Sequence, residues 1–173
     1  MNKAVAFVGP SGSGKTTLIC RLVSELQRRG LRCAVIKHAH HGFEMDHPGK
    51  DTFRMREAGA AAVVIASGTA TAFWRREVEQ RRAEELIEEF VADYDLVLVE
   101  GYHRSSLPKV LLPGAEEAGY EVVGPVWARV SATEPSSAAA PIPRFHRDEV
   151  AALADFLTGE GEGRDQGAAT PPR

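Results

Sequence analysis

Residues Gly9-Pro10-Ser11-Gly12-Ser13-Gly14-Lys15-Thr16 match the pattern G-x-x-x-x-G-K-[ST], a Walker A loop. Glycines at these positions let the backbone curl until successive N–H groups point into one concavity. The N-terminus of the following helix adds its positive end, and together they hold a phosphate chain. Gly9, Ser11, Gly12, Ser13 and Gly14 supply the cradle, and the Lys15 amine reaches the terminal phosphates. The Thr16 hydroxyl is placed to ligate a magnesium ion, and Thr17 is a further phosphate contact. A glycine-rich turn without a ligand is a weak competitor, because the pattern follows an apolar run and opens a helical one.

The second chemical signal is Glu100, which closes the apolar run Leu96-Val97-Leu98-Val99. Ligands of an open parallel sheet gather at the carboxyl ends of its strands, so Glu100 is expected beside the phosphates as the Walker B acid. There it acts on magnesium or orients a water. Asp95 stands at the other end of the same run and is expected to cap the strand's start. The third signal is the polar stretch 37–51, which holds Lys37, His38, His40, His41, Asp46, His47 and Asp51. Two chemistries suit it. A phosphate-side role uses Asp46 or Asp51 for magnesium and Lys37 or the imidazoles for an anion. A transition-metal role uses His38, His40, His41 and His47. For any single histidine of the stretch, a solvated loop position is the better expectation.

The elements that must position these groups follow from periodicity. Residues 3–8 form a strand, and Leu18, Ile19, Leu22, Val23 and Leu26 mark a helix that stops at Gly30. A strand at 33–36, a short helix at 52–58 and a strand at 61–66 come next. A short strand at 69–74 and a helix over 79–91 precede the 96–99 strand. Three shorter strands are expected at 109–112, 121–123 and 126–130. A last helix carries Val150, Leu153, Ala154 and Leu157, with Asp148 as its N-cap. Alternating strands and helices predict an α/β fold, a P-loop-type mostly parallel sheet flanked by helices. One domain over residues 1–158 and a disordered tail over 159–173 complete the expectation.

Composition narrows the function. The chain has 173 residues with a formal charge of -3, which leaves no general cationic surface for nucleic acid or an anionic membrane. Cys20 and Cys33 are its only cysteines, have no C-x-x-C partner, and read as buried small hydrophobes. With neither a secretory pattern nor an apolar run of about 18 residues, a reduced cytoplasmic protein is expected.

The order of the Walker A loop, Ile36-Lys37-His38-Ala39-His40-His41, Pro48-Gly49-Lys50-Asp51, Ala58-Gly59-Ala60 and Leu98-Val99-Glu100-Gly101-Tyr102 resembles the molybdopterin-guanine dinucleotide biosynthesis adapter (MobB) family. The resemblance spans residues 3–157, and its histidine-rich loop joined to P-G-K-D is more specific than Walker A. It implies a magnesium-dependent GTP-binding protein with weak GTPase activity, a homodimer that assists a MobA-type guanylyltransferase in attaching GMP to molybdopterin. On the resemblance Gly12, Gly14, Lys15, Thr16 and Thr17 map to the nucleotide loop. Asp46 and Asp51 map to the loop facing the phosphates and Glu100 to the Walker B acid; near the base-binding loop, where the family often carries an Asp, this chain has Glu134, which would accept from guanine N1 and N2. The chain departs from the family where an aromatic and a lysine usually follow Glu-Gly, because Tyr102 is followed here by His103.

Two other functions are compatible with the residues. A small-molecule or nucleoside monophosphate kinase would use Arg75, Arg76, Arg81 and Arg82 as a phosphate-clamping lid. A metallochaperone GTPase would use the histidine loop, although it lacks a cysteine pair.

Overall fold

The computed structural model describes residues 3–40, 42–44, 46–133, 137 and 141–160. They form an α/β fold whose contacts cluster into two compact units, Ala39–Arg81 and the remainder. The larger unit holds β1 (Lys3–Val8), α1 (Lys15–Arg28), β2 (Cys33–Lys37), α3 (Ala83–Phe90), β5 (Leu96–Glu100) and β6 (Lys109–Leu111). It is completed by β7 (Val126–Ser131), β8 (Arg144–His146) and α4 (Val150–Thr158). The smaller unit holds α2 (Asp51–Glu57), β3 (Ala62–Ala66) and β4 (Thr71–Arg75).

The main sheet has six strands in the order β2-β5-β1-β6-β7-β8, and every pairing is parallel. Central parallel strands are buried on both faces, and β5 shows why an unbroken apolar run suits that position. Leu96 and Leu98 enter one core cluster with Leu18, Ile19, Leu22 and Leu26 of α1 and Leu153, Ala154 and Leu157 of α4. Val97 and Val99 point the other way, into a cluster with Ala83 and Ile87 of α3. The two-residue strand period and the helical period therefore meet on both sides of the sheet.

Several expectations are corrected. The strands at 61–66 and 69–74 become Ala62–Ala66 and Thr71–Arg75, and they leave the parallel sheet to form a separate antiparallel hairpin. The helix expected over 79–91 begins only at Ala83, because Arg82 serves as its N-cap in a capping box with Glu85. Residues 121–123 are not a strand; their Val123 N–H instead donates to the His103 carbonyl at 3.0 Å. Asp148 does not cap α4, whose N-cap is Glu149 without a side-chain cap bond. It is drawn off by Arg21, with Nη1 at 2.9 Å from Oδ1. Cys20 is exposed on α1 rather than buried, and Cys33 is half-buried. The strand β8 was not expected at all, since three residues, Arg144, Phe145 and His146, carry no alternation long enough to register. Residues 161–173 of the expected tail lie outside the described residues. Among the described residues, no helix is long and apolar enough to cross a membrane.

Candidate functional site

The site grows from the end of β1. Val8 is buried and leads into the loop, where Gly12 (φ 78°) and Gly14 (φ 90°) take the left-handed conformation that side chains resist. Gly14 is the N-cap of α1. Gly9 is required for space, because a Cβ there would lie 2.7 Å from Ser13 Oγ and 3.1 Å from Leu112 Cβ. The Lys15 ammonium folds across the loop and donates to the carbonyls of Gly9 at 2.8 Å and Pro10 at 2.7 Å. Burial lowers its pKa, with Lys37 adding to that direction and Glu100 opposing it.

Glu100 closes β5 in register with Phe7 of β1 and Lys37 of β2, so the sheet itself sets these groups side by side. Its carboxylate accepts from the Thr16 hydroxyl at 3.0 Å through Oε2, and Lys37 Nζ lies 3.3 Å from Oε1. Glu100 is only 9% exposed, so this carboxylate is held by defined partners rather than by water. Asp95 is at the opposite end of β5, where its carboxylate accepts from the Arg32 backbone N–H at 2.7 Å. It ties the starts of β2 and β5 together, as expected of a strand cap.

Just past Glu100 the chain makes a tight turn. Gly101 (φ 93°) and Tyr102 (φ 51°) are both left-handed, and a Cβ on Gly101 would approach His38 Cβ to 3.1 Å. A non-glycine residue held there is a local strain of the kind that collects at functional sites. The turn stacks the Tyr102 ring on His38, with centroids 4.6 Å apart, while the His38 backbone N–H donates to the Glu100 carbonyl at 2.9 Å. His103 turns to residues 120–121: Nδ1 lies 3.0 Å from the Glu121 carbonyl oxygen, and its ring is 5.0 Å from that of Tyr120.

A feature that sequence periodicity misses is Lys109, which is fully buried inside the sheet unit. Its ammonium donates to the Ser105 carbonyl at 2.9 Å, the Ser105 hydroxyl at 3.0 Å and the Leu107 carbonyl at 2.5 Å. Glu84 of α3 binds the same turn, accepting from the Ser106 N–H at 2.9 Å and its hydroxyl at 2.7 Å. Burial pushes Lys109 down to about 8, against the opposing pull of Glu84. The one available signal was a lysine opening an apolar triplet, and that pattern also fits an exposed strand start.

The structure thus brings together Gly9, Gly12, Ser13, Gly14, Lys15, Thr16, Lys37 and Glu100, with His38 adjoining through its backbone. Ser11 and Thr17 are exposed on the same loop and helix start. Asp46 and Asp51 belong to the Ala39–Arg81 unit. There Asp46 is engaged by the Thr52 hydroxyl and by the His47 backbone N–H, while Asp51 is exposed at the first position of α2. Glu134 and His41 lie outside the described residues. Among the described residues, no group of three or more His, Cys, Asp or Glu side chains is placed to hold a metal ion. Arg75 and Arg81 of the suggested lid both pair with Glu77, at 2.8 and 3.6 Å, and Arg82 pairs with Glu85 at 2.7 Å.

Comparison with known proteins adds a family to this geometry. The model of the family described as molybdopterin guanine dinucleotide synthesis protein B matches residues 4–123. A Haemophilus influenzae protein named molybdopterin-guanine dinucleotide biosynthesis adapter protein is 41% identical over 109 residues, 62% of this chain and 61% of that protein. An Escherichia coli protein of the same name is 40% identical over 114 residues, 62% of this chain and 63% of that one. The matched region is therefore a little under two thirds of the length of these relatives. A crystal structure of molybdopterin-guanine biosynthesis protein B superposes with a TM-score of 0.69 at 33% identity, covering 91% of this chain and 97% of the other.

Proposed function

Because the chain belongs to the molybdopterin guanine dinucleotide synthesis protein B family, we propose that it is a GTP-binding adapter in molybdenum cofactor maturation. In this role it assists a MobA-type guanylyltransferase that attaches GMP to molybdopterin, acts in the cytoplasm as a homodimer, and hydrolyses GTP slowly. The observation that carries the nucleotide part is the Thr16–Glu100–Lys37 arrangement beside the Walker A loop. Two hard oxygen donors 3.0 Å apart, a hydroxyl and a carboxylate, suit magnesium, which prefers such ligands together with phosphate oxygens. Thr16 and Glu100 would hold the ion, which would supply charge neutralisation to the phosphates.

The chain's own groups would divide the remaining work. Backbone N–H groups of the loop orient the phosphates, and Lys15 exchanges its two carbonyl partners for the terminal phosphate oxygens. Glu100 keeps Thr16 and Lys37 in place and orients a water at the end of β5. The stacked His38 and Tyr102 fix the turn that follows, and Lys37 and His38 are the groups we propose for an anionic group of the pterin. Adapter function needs no fast chemistry from this arrangement.

Calorimetric titration of GTP, GDP and ATP with magnesium into the wild type and Lys15→Ala tests the reading. Loss of one charge-assisted contact of about 1.5–3 kcal/mol should weaken GTP binding by roughly 10- to 150-fold. Equal affinity of the two proteins for GTP would overturn it. Capture of the guanylyltransferase by the wild type in the presence of GTP tests the adapter role separately.

A further inference from the structure

We infer that a cleft on the α1 side of the phosphate loop takes the nucleoside half of the bound nucleotide, and that Arg147 selects guanine there. This rests on the nucleotide reading of the loop. The cleft has a volume of about 110 Å³ and lies between Gly14, Thr17 and Arg21 on one side and Pro113, Val130 and Arg147 on the other. Ligand pockets for whole drug-sized molecules run to roughly 300–1,000 Å³, so this one is suited to a single ring system. Its position fits a nucleoside, since Gly14 and Thr17 belong to the same loop and helix start that hold Lys15 and Thr16. Ser13 also lines the cleft, and its buried hydroxyl has no hydrogen-bond partner in the described structure.

The two arginines are not equivalent. Arg21 is committed to the cleft's frame, donating to the Asp148 carboxylate at 2.9 Å and to the Arg147 carbonyl at 3.2 Å. The Arg147 backbone is fixed from the other direction, its N–H donating to the Ser131 carbonyl at 2.9 Å. A rigid backbone thus carries an exposed guanidinium at the rim. Its paired N–H donors match the O6 and N7 acceptors of guanine, whereas adenine opposes them with the N6 amine, itself a donor.

The experiment measures the affinities of magnesium GTP, magnesium ATP and inorganic tripolyphosphate for the wild type, R147A, R147K and P113W. Arg147 and Pro113 are exposed, so the variants should fold, which circular dichroism checks. R147A should weaken GTP about tenfold and leave ATP unchanged. R147K, which keeps the charge but loses the paired donors, should behave as R147A does. P113W should weaken both nucleotides by narrowing the cleft while leaving tripolyphosphate unchanged. An unchanged ratio of GTP to ATP affinity in R147A, or GTP binding indifferent to P113W, would overturn the inference. Equal losses for all three ligands in R147A would also overturn it, by making Arg147 a phosphate contact, and would leave the loop reading standing. A wild type that takes up no triphosphate would overturn the loop reading itself.

Discussion

The two compact units treat their apolar residues in opposite ways. In β5 all five residues are buried, and neighbours along the strand alternate between two core clusters. In the β3–β4 hairpin a sequence just as apolar leaves Val64 63% exposed, Ile65 54% and Phe73 39%. Composition does not separate the two strands; the number of layers does. A six-stranded sheet with helices packed on it has two covered faces, whereas a two-stranded hairpin with one short helix has little to cover it. The chemical residues divide the same way. Lys37 and Glu100 sit in register at the ends of β2 and β5, and the buried Glu100 is held by Lys37 and by Thr16 of α1, while Asp51 and His47 of the smaller unit are exposed.

The contrast is tested most strongly where burial is deepest. Leu22 of α1 is fully buried between the sheet and α4. Leu22→Ala should cost about 2–5 kcal/mol in urea unfolding, the transfer free energy of the lost methyl groups plus the cavity they leave. A loss under about 1 kcal/mol would show that the larger unit is not the tightly packed body described above.

Lys109 sharpens the comparison by placing a charge in that same interior. Its pKa is about 8 in the folded protein against 10.5 for an ordinary lysine, so the folded state binds fewer protons than the unfolded state between those values. Stability contributed through this group therefore rises as pH climbs from about 8 to 10.5, and below 8 the cost of burying the charge is fully present. Cys33, whose burial pushes its thiol up to about 11, acts in the opposite direction above pH 9. Because both proteins keep Cys33, the stability of the wild type relative to Lys109→Met isolates the lysine. That difference should move in favour of the wild type by up to about 3 kcal/mol between pH 7.5 and 10.5. A difference independent of pH would mean that the ammonium reaches water.

What was legible in the sequence had local causes. The Walker A loop announces itself because glycine adopts the φ of 78° at position 12 and 90° at position 14 without the steric cost that a side chain brings. The strand β5 does so because a buried parallel strand has no polar face to interrupt the run. The family resemblance rested on these segments and on the histidine loop between them, and the family match over residues 4–123 agrees. What was missed depends on partners distant in sequence. Asp148 looks like an N-cap until Arg21, 127 residues away, takes its carboxylate. Cys20 looks like core because α1 is amphipathic, yet it falls on the outer face of that helix. The strand β8 exists because β7 offers a parallel edge to three residues that would not form a strand alone. Arg147 has no motif around it, and only the cavity beside the phosphate loop draws attention to it.

The smallest expected effect is the most direct test of the comparison. Val64 and Leu22 are both aliphatic residues in regular elements, and a rule based on residue type alone would assign their loss similar costs. Burial assigns them very different ones. At 63% exposure Val64 has little apolar surface to lose, and its partner Phe73 across the hairpin is itself 39% exposed. Val64→Ser should therefore change unfolding stability by no more than about 0.5 kcal/mol, the usual range for surface positions. Serine keeps the backbone bonds of the ladder, so the measurement reads side-chain burial with only a small propensity term. A cost near that of Leu22→Ala at high protein concentration, vanishing on dilution, would show this face covered by a second molecule in solution. A large cost at every concentration would place the hairpin face inside the chain's own core and remove the difference between the two units.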